Sequence, residues 1–126
     1  RSSDLGVLAQ RLVRRLCPQC KQETSMNEQE WEHLTFDYIM EMPETMYKAV
    51  GCETCRHTGY KGRVGIYEFM PVSLELKSLI SAHGTLNDLK VQAKKEGVEP
   101  LRIAGARKVI EGVTTLEEVL RVVPLS

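Results

Sequence analysis

Cys17, Cys20, Cys52 and Cys55 are the four cysteines of this 126-residue chain, and they fall into two pairs, Cys17-Pro18-Gln19-Cys20 and Cys52-Glu53-Thr54-Cys55, with 31 residues between the pairs. A Cys-x-x-Cys turn sets two thiolates on one side of a tight loop, and two such turns brought together supply the four ligands of a tetrahedral metal ion. Zinc is the ion this donor set suits, and iron in a rubredoxin-like site uses the same geometry. Four thiolates close the coordination shell, so the expected role is structural: catalysis by a metal needs an open position for water or substrate. Pro18 fixes its own φ within the first turn, and Gly51 and Gly59 bracket the second, where backbone freedom is needed.

Four cysteines allow three disulfide pairings, but the chain has neither a signal-peptide layout nor a run approaching the roughly 20 apolar residues of a membrane span, which reads as cytoplasmic and reduced. A thioredoxin-type dithiol at Cys17 and Cys20 calls for a surrounding βαβ pattern that is absent here. His57, two residues after Cys55, is read as a surface or supporting residue rather than a fifth ligand, and His33 and His83 stand without a nucleophile or carboxylate at a suggestive spacing. The chain contains no phosphate-binding loop, nucleophile elbow or His-Glu-x-x-His, so this stretch by itself is not expected to be an enzyme.

The elements that must bring the sulfurs together follow from periodicity. Leu5, Leu8, Leu12, Val13 and Leu16 recur at helical spacing, with Ser2 or Ser3 as a cap and Arg11, Arg14 and Arg15 on the other side, which predicts an amphipathic helix leading into the first knuckle. The spacing between the pairs exceeds the usual zinc-ribbon value of about 15–20 residues, so an inserted element is required. Ser25-Met26-Asn27-Glu28 has the form of a capping box and predicts a short helix through Trp31 to about His33. Met46 to Val50, and Val64, Ile66 and Phe69, predict two short strands flanking the second knuckle, with Trp31, Tyr60 and Tyr67 as an apolar shell around the metal loops. From Ser73 onward four helices are expected: one through Leu74 to Ile80 closed by Gly84, one capped by Thr85 and Asp88 and ended by Gly97, one from Pro100 to Gly112, and one capped by Thr115 and Glu118. The fold class is α+β, mostly α. Three parts are expected: a helix over residues 1–16, a tetracysteine metal subdomain over 17–69 and a helical subdomain over 70–126.

Charge divides the chain in a way its zero net charge conceals. Residues 1–21 carry Arg1, Arg11, Arg14, Arg15 and Lys21 against Asp4, whereas residues 22–50 carry Glu23, Glu28, Glu30, Glu32, Asp37, Glu41 and Glu44 against Lys48. The two segments are expected to face one another or different partners. A stand-alone zinc-ribbon domain that binds nucleic acid was considered, but zero net charge and an acidic insert argue against it.

Three blocks carry a family resemblance: Leu8-Ala9-Gln10-Arg11-Leu12-Val13-Arg14-Arg15-Leu16-Cys17-Pro18-Gln19-Cys20, the run from Gly51 to Glu68 with its Gly-Arg-x-Gly-Ile-Tyr-Glu ending, and Gly112-Val113-Thr114-Thr115-Leu116-Glu117-Glu118-Val119. Together they resemble the C-terminal part of the type II secretion ATPase, general secretion pathway protein E, and of its relative the type IV pilus assembly ATPase. The resemblance implies a parent protein that is a cytoplasmic, hexameric, ATP-binding motor, peripheral at the inner membrane, driving assembly of a pseudopilus or pilus. It leans to the secretion branch. It also implies that ATP and Mg bind only upstream of Arg1, and that the partners of this region are its own ATPase core, neighbouring subunits and the inner-membrane platform proteins, not nucleic acid. Because the chain starts at Arg1 rather than Met, it reads as a piece of a longer polypeptide.

Overall fold

The computed structural model describes residues 5–25, 27–71, 82–95 and 97–123. In chain order these hold strand β1 (Leu5–Leu16), strand β2 (Gln22–Thr24), helix α1 (Glu28–Leu34), strand β3 (Met46–Lys48), a 3-10 turn (Glu53–Cys55), strand β4 (Tyr60–Pro71), and helices α2 (Leu86–Lys95), α3 (Leu101–Ile110) and α4 (Leu116–Val122). Among the described residues no helix is long and apolar enough to cross a membrane.

The helix expected over residues 1–16 is instead a strand from Leu5 onward. β1 pairs antiparallel with β4 along its whole length, Val13 opposite Val64 and Leu16 opposite Tyr60, and the register slips between Val7 and Ala9 and again between Arg14 and Leu16. At the second slip two exposed arginines, Arg14 and Arg15, separate the buried Val13 and Leu16, so two core residues fall three apart and imitate a helical period. The long partner strand then overrides local propensity. β4 likewise runs twelve residues rather than forming a short strand, so the described chain is α+β but less helical than expected. A second ladder pairs β2 with β3, Glu23 opposite Tyr47, and closes the insert.

The insert helix is present with its cap shifted. Asn27, not Ser25, is the N-cap, its side chain accepting from the Glu30 amide at 3.1 Å, which makes Glu28 the first helical residue. Thr85 and Asp88 form the reciprocal box expected before α2, each side chain taking the other's amide at 3.1 Å. Thr115 caps α4 through the Glu118 amide. Pro100 caps α3 without a side-chain bond, and the first free amide of that helix, Leu101, donates to the buried Glu68 carboxylate of β4 at 3.0 Å. The helix expected over Leu74 to Ile80 lies outside the described residues.

One buried cluster joins the long ribbon, the insert and the last two helices: Val13 and Ile66 from the ribbon, Trp31, Leu34 and Met46 from the insert, and Leu101, Ala106, Val109, Leu116 and Val119 from α3 and α4. α3 and α4 approach closely at Gly105, where an added Cβ would lie 2.5 Å from Val119 Cγ1.

Candidate metal centre

The two ladders place the knuckles. The first Cys-x-x-Cys turn connects β1 to β2 and the second connects β3 to β4. Because β1 pairs with β4 and β2 with β3, both turns stand at the same junction between the ladders. Pairs 31 residues apart in sequence are thereby forced side by side.

The four Sγ atoms all lie within 4.8 Å of one another. Three edges of the figure, Cys17–Cys52, Cys20–Cys55 and Cys52–Cys55, each measure 3.8 Å. A regular tetrahedron with metal–sulfur bonds of about 2.3 Å has edges of about 3.8 Å, so these three edges match the separation a bound ion requires and the others lie within 4.8 Å. A disulfide would bring a pair to about 2.05 Å; all four cysteines are free. Cys17 and Cys55 are buried, and Cys20 and Cys52 are partly so. The donor set therefore fits a metal ion, and its sulfur-only chemistry suits zinc or iron.

Two glycines tie the knuckles together through the backbone. Gly59 donates its amide to Cys55 Sγ at 3.2 Å, and its carbonyl accepts from the Cys17 amide at 3.0 Å. Its φ of +84° and the Cβ of Ala49, which an added methyl would meet at 2.4 Å, leave room for glycine alone. Gly51, at φ +115°, donates to Cys20 Sγ at 3.3 Å. The Cys52 amide donates to Cys55 Sγ at 3.2 Å, and the turn is completed with Arg56 and His57 in left-handed conformations, the His57 amide reaching the Cys52 carbonyl at 2.7 Å. Burial pushes the Cys20 thiol up to about 11. Burial acts the same way on Cys55, but the amides of Cys52 and Gly59 outweigh it and bring that thiol down to about 6. Cys52 is lowered as well, first by the Cys55 backbone amide facing its sulfur.

The sequence that builds this site has relatives. A family model described as type II/IV secretion system protein matches residues 1–121. The chain belongs to that family. The type IV pilus assembly ATPase TfpB of Acinetobacter baylyi is 65% identical over 122 residues, covering 97% of this chain and 21% of that protein. The type II secretion system protein E of Pseudomonas aeruginosa is 46% identical over 121 residues, covering 96% and 24%. The type II secretion system ATPase E of Vibrio cholerae is 42% identical over 122 residues, again covering 96% and 24%. The chain thus spans about a fifth to a quarter of the length of these relatives.

In this member of the type II/IV secretion family the remaining predicted residues are distributed unevenly. Tyr60 stands at the exit of the second knuckle, its ring under the Arg14 guanidinium at 4.2 Å and its hydroxyl 2.9 Å from that of Thr115. Trp31 is buried in the shared core, and Tyr67 stacks on Phe69 seven residues further along β4, about 23 Å from Tyr60 by strand rise, so neither belongs to the shell of the metal loops. His33, His57 and His83 are exposed, and the four-cysteine group excludes His57.

The helical spacing places Arg14 with Arg11 and Arg15 on the side of a helix opposite its leucines. The Arg14 side chain instead holds Glu118, whose side chain has no solvent exposure. That carboxylate accepts from the Arg14 backbone at 2.8 Å and from the Arg14 and Arg121 guanidiniums at 2.9 to 3.2 Å. Burial acts to raise the carboxyl, and the bonds from Arg121 and Arg14 outweigh it and hold the group at about 2. The network clamps α4 to β1 one turn from the first knuckle, reinforced by Thr114 donating to the Arg14 carbonyl at 2.7 Å and Leu16 donating to that of Val113 at 2.8 Å. Lys21, just after Cys20, donates to the Gly112 carbonyl at 2.9 Å and lies over the Tyr47 ring. Local spacing marks Glu118 only as a capping partner of Thr115 and a neighbour of Arg121 on α4, because its bonds to Arg14 join residues 104 apart in sequence.

Proposed function

We propose that this chain is the zinc-binding, non-catalytic C-terminal module of an ATPase that powers a type II secretion or type IV pilus machine, with the zinc held by Cys17, Cys20, Cys52 and Cys55. The observation that carries the reading is the four-sulfur cluster at tetrahedral separation, built at the junction of two ladders. When bound, the ion supplies structure: it cross-links β1, the insert and β4 and contributes on the order of 10 kcal/mol of binding energy that is also folding energy. The chain's own residues orient the sulfurs through the amides of Gly51, Cys52 and Gly59 and exclude water by burying Cys17 and Cys55. In the parent, ATP and Mg would bind upstream, and this module would pack on the ATPase core and contact neighbouring subunits or platform proteins at the cytoplasmic side of the inner membrane. Zero net charge supports a role without nucleic acid.

The identity of 65% to a named pilus assembly ATPase, against 46% to a named secretion protein, supports the pilus branch over the secretion branch that the sequence wording suggested. Complementation separates them: the parent gene is expected to restore pili in a strain lacking its pilus assembly ATPase, and restoration of secretion alone in a strain lacking the type II ATPase would reverse the assignment. Metal analysis of the purified chain tests the site itself. One zinc per chain and no titratable thiol in the native state are expected; a metal-free chain of unchanged fold would overturn the proposal. The purified chain is also expected to hydrolyse no ATP above the blank.

A further inference from the structure

Among the described residues no ion pair joins Glu28, Glu30 or Glu32 to the basic segment of residues 1–21, whose Arg14 is taken by Glu118. Glu28 sits in the first turn of α1, where the helix dipole favours it, but Glu32 lies towards the other end, where stability alone would favour a cation. Beside these two carboxylates is a pocket of about 480 Å³ lined further by Trp31, Phe36, Met40 and Met42. Phe36 is 72% exposed, Met42 41%, and the neighbouring Ile39 fully. Asp37, on the same rim, is already matched by Lys94, which leaves Glu28 and Glu32 as the lining carboxylates without an ion pair among the described residues.

Trp31 supplies an independent observation. It lines this pocket, is 2% exposed, and its indole N–H has no acceptor among the described residues.

We infer that the pocket between α1 and the loop after it is a docking surface for a short basic segment of another protein, one carrying an apolar side chain for the Phe36–Met42 side and cations for Glu28 and Glu32. Charge decides the occupant: an acidic or purely apolar segment would leave both carboxylates facing like charge or desolvated and unpaired. The surface names a partner chemistry for the interaction role proposed above and rests on it.

Trp31 is the sole tryptophan of the chain, so its emission and its single indole N–H resonance report on this pocket directly. The chain, checked for metal content, is titrated with a synthetic amphipathic Lys/Leu peptide and with its Glu/Leu counterpart. The expected result is a saturable change in Trp31 emission and a shift of the indole proton resonance with the basic peptide only. Binding should weaken at least about tenfold in the Glu28→Lys/Glu32→Lys variant and stay within about twofold in Glu23→Lys/Glu117→Lys, which changes charge equally at exposed sites elsewhere. Equal binding of both peptides, equal loss in the two variants, or an indole resonance that does not move would overturn the inference. So would a concentration-dependent indole shift without peptide, which would assign the pocket to a second copy of the chain. A chain that binds zinc and ignores the peptide defeats the docking surface and leaves the metal proposal standing.

Discussion

Replacing Glu118 by Gln keeps the shape of the side chain and removes the charge that two guanidiniums share. The folded carboxyl titrates at about 2 against an ordinary value of 4.5. By linkage that depression corresponds to at most about 3 kcal/mol of stability at neutral pH. Arg14 and Arg121 are 46% and 58% exposed, so solvent screening brings the expected loss to about 2 kcal/mol. Because the folded value lies below the unfolded one, the contribution is complete above about pH 5 and fades as pH falls towards 2, with about 1 kcal/mol already gone at pH 4. Urea unfolding of both chains from pH 7 to pH 4 checks this, and taking their difference cancels the titration of the cysteines common to both. The gap between native and variant should narrow by about 1 kcal/mol over that range. A gap below about 0.5 kcal/mol at pH 7, or one that does not change with pH, would refute the clamp between β1 and α4.

Three further outcomes follow from the same coordinates. Gly59→Ala should cost at least about 2–3 kcal/mol and lower zinc content, since it combines a left-handed φ with a contact to Ala49, whereas Gly62→Ala, at φ +80° but in open space, should cost only about 1 kcal/mol and leave metal content unchanged; thermal unfolding and metal analysis distinguish them. Gly105→Ala should destabilise by about 1–2 kcal/mol despite a gain of about 1 kcal/mol in helix propensity, because the new methyl meets Val119; a more stable variant in urea would mean that α3 and α4 can separate freely. Cys52→Ser should abolish stoichiometric zinc binding and, in the parent protein, impair pilus or secretion function more than nucleotide binding; normal function with the serine would contradict a structural need for the metal.

The sequence made the donor set legible because Cys-x-x-Cys spacing is local, and the caps at Thr85 and Thr115 were legible for the same reason. The strand β1 was not. Its slips of register place Val13 and Leu16 three apart, and only the presence of β4, some fifty residues away, decides between an extended ribbon and a helix. The α1 cap was misplaced by two residues because Ser25 and Asn27 are both good caps and their spacing to Glu28 and Glu30 is the same. Glu118, Lys21 and Glu68 act through partners far along the chain, and no pattern in one sequence pairs them.

The buried cluster shared by the ribbon, the insert and the last two helices has a consequence for engineering. Such a knuckle region is a poor cassette. Grafted alone onto another scaffold, residues 17–69 would arrive with Trp31, Leu34 and Met46 stripped of the surfaces of Leu101, Val109 and Val119 that cover them, and a single cation would have to organise a peptide that has lost its neighbours. A transplant that respects the physics carries everything from Val13 to Val123 as one piece.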